Sequence, residues 1–300
     1  MSGQRLFSVN GTELVVDDRG DLTAPPLLYI HGGPGQSCWD FMAAQGDRLA
    51  EDLRIIGVDQ RGVLRSADLP PGTALDVDVL IDDFEALRTS LGIHSWAVLG
   101  HSAGGGYALQ YATCHPNSVT AVVFDCPCWD CDLTDRFRLP VAAKLLEAAG
   151  KREAALACRR IADKPDRITV DDQPWVAMQA LDAQYLDLFF HGRGSTQAYE
   201  ALMSSAGFSD EQWARGQVHA PLLAAMYEPQ LHLMARLAVP SLLVHGEDDL
   251  VVPPHIVDLY TSQVPTGAVH TFPETGHFAY HEEPDSYADV IRRFVIHHAH

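Results

Sequence analysis

Trp96-Ala-Val-Leu-Gly-His-Ser102-Ala-Gly-Gly-Gly-Tyr107 is the stretch whose reading decides the fold. Its first four residues are apolar and read as a buried strand, and the run from Ala103 to His115 reads as a helix. Gly100-His101-Ser102-Ala103-Gly104 therefore has to turn sharply from one to the other. Glycines on both flanks of the serine permit a turn that side chains would obstruct. Such a turn lifts the serine hydroxyl to the sheet edge and aims the first N–H groups of the new helix at the same place. In this strand–turn–helix setting the G-x-S-x-G spacing marks Ser102 as a candidate nucleophile.

Working outward, short β-branched runs alternate with longer helical stretches, the pattern of a mainly parallel sheet flanked by helices. Strands are expected at Glu13–Asp17, Leu27–His31, Arg54–Asp59, Trp96–Gly100, Thr120–Asp125, Ser241–Gly246 and Ala268–Phe272. The first, beside Asn10-Gly11, reads as an antiparallel edge. Helices are expected near Phe41–Glu51, Asp76–Leu91, Ala103–His115, Pro254–Gln263 and Pro284–His297. The alternation stops after Asp125. Val141–Ala149, Arg152–Ile161, Trp175–Phe190, Thr196–Ala206 and Asp210–Gln217 read as helices, and Ser241–Gly246 then restores a buried strand. This organisation predicts an α/β core from residues 1–130 and 238–300. A helical cap, 131–237, is inserted between two sheet strands and lies over the C-terminal strand ends, where open α/β sheets place ligands.

A serine hydroxyl needs a base, and the base needs an orienting acid. Chain order Ser, acid, His points to Gly246-Glu-Asp-Asp249 after the restored strand and to Gly276-His277 after the last one. The G-x-x-D spacing favours Asp249 over Asp248. His277 stands apart from the other histidines, among them His270, His281 and His297-His-Ala-His300, through its glycine and its place after the final strand. In His31-Gly-Gly-Pro-Gly35 the consecutive glycines let a backbone N–H face inward. The N–H groups of Gly33 and Ala103 are thus candidate oxyanion donors, each worth roughly 3–4 kcal/mol of transition-state stabilisation. His101 reads as a packing or loop-bonding residue pointing away from the serine, and Arg61 as a tie between loops.

The chain carries a formal net charge of −19 over 300 residues, which argues against nucleic acid and anionic membrane surfaces as partners. No apolar run reaches the roughly 18 residues of a membrane span. Met1–Gly20 lacks a basic segment followed by an apolar one, so the expectation is a cytoplasmic protein with no secretory leader. Cys38, Cys114, Cys126, Cys128, Cys131 and Cys158 then read as reduced thiols. Cys126-Pro-Cys-Trp-Asp-Cys131 lacks a second ligand pair at zinc spacing and reads as small buried thiols rather than a metal site. No cofactor is implied.

His31-Gly-Gly-Pro-Gly35, Asp59-Gln-Arg-Gly62 with Arg65-Ser66, the serine turn and the segment Tyr107–Val123 resemble the proline iminopeptidase branch of the α/β-hydrolases. The resemblance covers most of the chain outside the cap. It implies the α/β-hydrolase fold, a triad of Ser102, Asp249 and His277, oxyanion donors at Gly33 and Ala103, and removal of an N-terminal aminoacyl group bearing a free amine. Two positions depart from the pattern. Ala103 stands where typical members carry Trp, and Leu64 stands where D-x-R-G-x-G-x-S has its second glycine. These departures reshape the acyl pocket and leave strict proline specificity open.

Holding a protonated amine calls for carboxylates in the cap. Asp182 and the pair Asp210-Glu211 are the candidates, with Glu200 and Glu228 behind them, although each also suits a solvated helix position. The expected partner is a small molecule or short peptide. The rival readings are a carboxylesterase or lactonase without amine recognition, and a ligand receptor on the same fold. Trp175, Tyr185, Phe189, Phe190 and Trp213 read mostly as cap core, some of them lining a pocket.

Overall fold

The computed structural model describes residues 3–70 and 72–299; Met1, Ser2, Pro71 and His300 lie outside the described residues. The strands are β1 (Gly3–Val9), β2 (Thr12–Arg19), β3 (Pro26–Ile30), β4 (Arg54–Val58), β5 (Trp96–His101), β6 (Val119–Asp125), β7 (Ser241–Gly246) and β8 (Ala268–Phe272). They form one sheet in the order β1-β2-β4-β3-β5-β6-β7-β8. Pairing is parallel from β4 to β8 and antiparallel for β1–β2 and β2–β4.

Side-chain alternation explains why the central strands read so clearly. Leu27, Tyr29, Ile55, Ala97, Leu99, Val123, Leu242 and Val244 face one core. Leu28, Ile30, Ile56, Val58, Val98, Val122, Phe124 and Leu243 face the other. The first face is covered by helices α1 (Trp39–Leu49) and, near the C-terminus, Pro284–His297, whose Tyr287, Ala288, Ile291 and Val295 form its buried stripe. The second is covered by α2 (Val77–Ser90), α3 (Ala103–Cys114) and the helix Pro254–Gln263.

Between β6 and β7 the chain is helical, with α4 (Cys131–Ala148), α5 (Arg152–Ala162), α6 (Pro174–Gln179), α7 (Arg193–Ser205), α8 (Asp210–Ala214) and α9 (Ala220–Ala225), joined by 3-10 turns. Helix α4 begins ten residues before the expected Val141 and runs through Pro140, a residue type that ordinarily kinks or breaks a helix interior. The expected single helix Trp175–Phe190 is instead α6 followed by a 3-10 segment, Asp182–Leu188, with Asp182 at φ +51°. Among the described residues no helix is long and apolar enough to cross a membrane.

These helices pack onto the loops at the C-terminal strand ends. Arg215 donates to the Leu64 and Ser66 carbonyls, His219 bonds the Arg61 carbonyl, and the His277 N–H donates to the Phe189 carbonyl at 2.8 Å. The closest approach joins Gly216 to Gly35: a Cβ on Gly216 would stand 1.9 Å from the Gly35 carbonyl oxygen. Backbone meets backbone there, and no rotamer change relieves the clash. Gly216→Ala is expected to cost about 1–3 kcal/mol by overpacking. The loss is read as a lower urea midpoint at unchanged m value; an unchanged midpoint refutes the contact.

Candidate active site

Order within the sheet brings the site together. β3 and β5 are neighbours although β4 intervenes in sequence, so their C-terminal loops open side by side at the crevice where the strand order reverses. The β3 loop holds Gly32 and Gly33, and the β5 turn holds Ser102. Gly32 sits so near that a Cβ on it would lie 2.8 Å from the Ser102 Cβ.

Ser102 has φ +55° and ψ −122°, a conformation that L residues rarely adopt. Such strain costs of order 1–3 kcal/mol and persists where surroundings over-determine it. Here the Ser102 N–H donates to the Asp125 carbonyl, and its own carbonyl accepts from Gly105 and Cys128, each at 2.9 Å. The flanking glycines are obligatory. A Cβ on Gly100 would fall 2.2 Å from the Gly104 oxygen, and one on Gly104 would fall 2.3 Å from the Ile30 oxygen. Ala103 opens α3, so its N–H has no intrahelical acceptor.

The loop bearing Gly32 and Gly33 is fastened by the chain's second glycine-containing motif. The Gln60 N–H donates to His31 Nε2, and the Gln60 amide donates to the His31 carbonyl, both at 3.1 Å. Burial pushes His31 down to about 4, so it stays the neutral acceptor this arrangement needs. Asp59 holds Arg65 at 2.6 Å and the Cys38 N–H at 3.1 Å. Arg61 pairs with Asp83 of α2 at 2.6 Å, so its side chain ties loop to helix rather than loop to loop. Leu64, at the pattern's glycine position, keeps a glycine-like φ of +39°.

Across the crevice, Asp249 follows β7 and His277 follows β8. His277 Nδ1 lies 3.1 Å from Asp249 Oδ1, which also accepts the Val251 N–H at 2.8 Å. Both side chains are buried. Burial would raise the Asp249 carboxyl, but His277, the Val251 N–H and the Cys126 thiol outweigh it and hold it below the usual range. Burial also lowers His277, more than Asp249 raises it. An ionised Asp249 at Nδ1 fixes the proton there and leaves Nε2 as the free lone pair. Asp248, by contrast, is exposed and pairs with His191.

Two cavities meet at Ser102, both touching Gly33, Gln36, Tyr185 and Phe189. The smaller, about 200 Å³, is also walled by His277, His101, Asp40 and aromatic rings. The larger, about 570 Å³, runs toward Trp175, Leu223 and Met226, with Arg138 the one charged residue in its wall among the described residues. Ser102 in its strained turn, His277 of the buried Asp–His pair and Gly33 of the glycine loop thus border the smaller cavity together.

The α/β-hydrolase fold family model matches residues 25–284. The chain belongs to this family. Hydrolases similar to it include the proline iminopeptidase of Xylella fastidiosa (strain Temecula1), 30% identical over 89% of this chain and 88% of that one. The proline iminopeptidase of Heyndrickxia coagulans is 26% identical over 93% and 92% of the two chains. The proline iminopeptidase-related protein of Thermus thermophilus shares the fold at a TM-score of 0.75 and 23% identity, covering 100% and 99% of the two chains.

Within the hydrolase, Ser102, His277 and Gly33 line the smaller cavity, and Asp249 is bonded to His277. The candidate carboxylates between β6 and β7 do not reach that cavity. Asp182, at φ +51°, is 78% exposed and paired with Lys151. Asp210 and Glu211 are exposed in the first turn of α8, where they complement the helix dipole behind the Ser209 cap. Glu200 and Glu228 border neither cavity. His101 does not point away: its ring lies 4.7 Å from that of His277, with Nδ1 bonded to Asp125 at 2.9 Å. Cys126, Cys128 and Cys131 are buried, the last two with sulfurs 3.3 Å apart. Tyr185 and Phe189 line both cavities, whereas Phe190 stacks on Phe278 and Trp213 packs on Phe208. Sequence reasoning missed Asp40 and Arg138, which lie outside any motif.

Proposed function

We propose that this hydrolase is a serine enzyme that removes a small aminoacyl group from an amide or short peptide through an acyl-enzyme. The observation that carries the reading is the strained Ser102 turn facing the buried Asp249–His277 pair across one cavity. His277 Nε2 takes the Ser102 proton as Oγ attacks the carbonyl, and Asp249 orients the imidazolium that forms. The oxyanion lies between the N–H groups of Gly33 and Ala103. The imidazolium then protonates the leaving amine, and water attacks the acyl-enzyme by the same base. Residues 131–237 act as the cap that keeps this chemistry dry, over the core of 1–130 and 238–300.

The aminoacyl preference draws support from the proline iminopeptidases similar to the chain over about nine-tenths of its length. One observation favours a second reading, ester or lactone hydrolysis: none of the expected cap carboxylates borders either cavity at Ser102. Aminoacyl and plain acyl chromogenic substrates separate the two. Turnover of an acetyl ester with no cleavage of an aminoacyl amide overturns the first.

The base also sets a pH profile. His277 must be neutral to act, and its environment holds it below the ordinary 6.5. The neutral form therefore persists as pH falls past that value. Values of kcat/KM are expected to stay level through neutrality and to halve only below pH 6.5. A half-point above it argues against His277 in this environment as the base.

A further inference from the structure

The small cavity beside Ser102 contains an acidic group that no motif explains. Asp40 is the second residue of α1, directly beyond the glycine loop of β3, and it is only 2% exposed. Its Oδ2 accepts from the Tyr199 hydroxyl at 2.8 Å and from the Tyr280 hydroxyl at 2.7 Å. Its Oδ1 is buried and has no partner among the described residues. A carboxylate offers about four lone-pair sites, and two are filled. A buried carboxylate with no cation is costly, and proteins normally pair such a group or place it where a ligand does.

A place in the first turn of a helix accounts for tolerance of an acid, since the dipole favours negative charge. It does not account for the unfilled oxygen, nor for two tyrosines from separate elements converging on the other. The cavity wall supplies the rest. Tyr29, Tyr199 and Phe278 line the space with Asp40, and aromatic faces attract cations. Phe278 links this corner to the catalytic side, packing 4.9 Å from Tyr199 and 5.2 Å from His277.

We propose that Asp40, flanked by Tyr29, Tyr199 and Phe278, binds the protonated amine of the acyl group that becomes attached to Ser102. The inference rests on the aminoacyl reading above and gives amine recognition to the core helix α1 rather than to the cap. A space of about 200 Å³ suits one small aminoacyl group, and the space of about 570 Å³ on the other side of Ser102 is left for the leaving group.

The test compares alanine 4-nitroanilide with propionic acid 4-nitroanilide, which differ only in the amine, on wild type and Asp40→Asn. Fluorophosphonate labelling of Ser102 verifies folding of the variant. The expected result is at least a 30-fold fall in the kcat/KM ratio of the alanine to the propionic substrate. An unchanged ratio, or equal loss on both substrates, overturns the proposal. Inhibition of propionate 4-nitrophenyl ester hydrolysis by propylammonium separates this idea from the substrate reading. If wild type cleaves only the ester, the aminoacyl reading fails. Inhibition at least 10-fold weaker in Asp40→Asn then still supports the ammonium site, and equal or absent inhibition overturns it. Should the variant not fold, wild-type crystals soaked in propylammonium decide. The expected cation nitrogen lies within hydrogen-bond reach of Asp40 Oδ1, and a cavity without the cation refutes the site.

Discussion

Ser102→Ala is expected to lower kcat by roughly 10⁵–10⁶ and to abolish fluorophosphonate labelling while leaving the fold intact. Alanine keeps the Cβ, so the turn at φ +55° is no more strained than before, and the two carbonyl and N–H anchors of residue 102 are backbone groups. What disappears is the hydroxyl alone. In the proposed mechanism the Gly33 and Ala103 N–H groups and the substrate contacts remain, and such contributions by themselves sustain about 10³–10⁴ over water. Circular dichroism and the urea midpoint should match wild type. A variant that keeps more than a hundredth of the activity, or labels equally well, removes Ser102 from the chemistry. A protein that binds its ligand but never turns it over would show no difference in rate between the two forms, which also tests the receptor reading.

The parts of this molecule that are legible in its sequence are those whose partners lie nearby or whose pattern is enforced on both faces. Strands β3 to β7 are covered by helices on both sides, and their apolar runs are correspondingly complete. Strand β1 is the opposite case. Most of it is exposed and it is held by backbone pairing with β2, so it carries no unbroken apolar run. Helix α4 hides its first half behind Pro140, whose missing N–H the surrounding packing tolerates. The serine turn is legible because its glycines answer a local steric demand. Asp40 is not, because its meaning depends on hydroxyls 159 and 240 residues away. The carboxylates between β6 and β7 mislead for a related reason: an acid on an amphipathic helix looks the same whether it faces solvent or a cavity, and Lys151 claims Asp182 from outside.

The acid of the pair is where spacing alone left two neighbours in play and burial separates them, and it carries the second large effect. Asp249→Asn is expected to lower kcat by on the order of 10⁴ with little change in KM, since the side chain touches His277 and not the substrate. An amide in this position has no charge to stabilise the imidazolium. It can also present its NH₂ to Nδ1, which moves the imidazole proton to Nε2 and removes the lone pair that faces the cavity. The size of the loss should depend on pH, because His277 no longer has the carboxylate that opposes its burial. Removing that opposing charge lowers the imidazole further, so the acidic limb of the profile should move to still lower pH in the variant. Asp248→Asn is the matched control: its carboxylate is half-exposed and bonded to His191, and the variant should stay within a factor of two of wild type. If Asp248→Asn produces the large loss and Asp249→Asn the small one, the pairing of Asp249 with His277 is not the catalytic one, and the loop after β7 must rearrange before reaction.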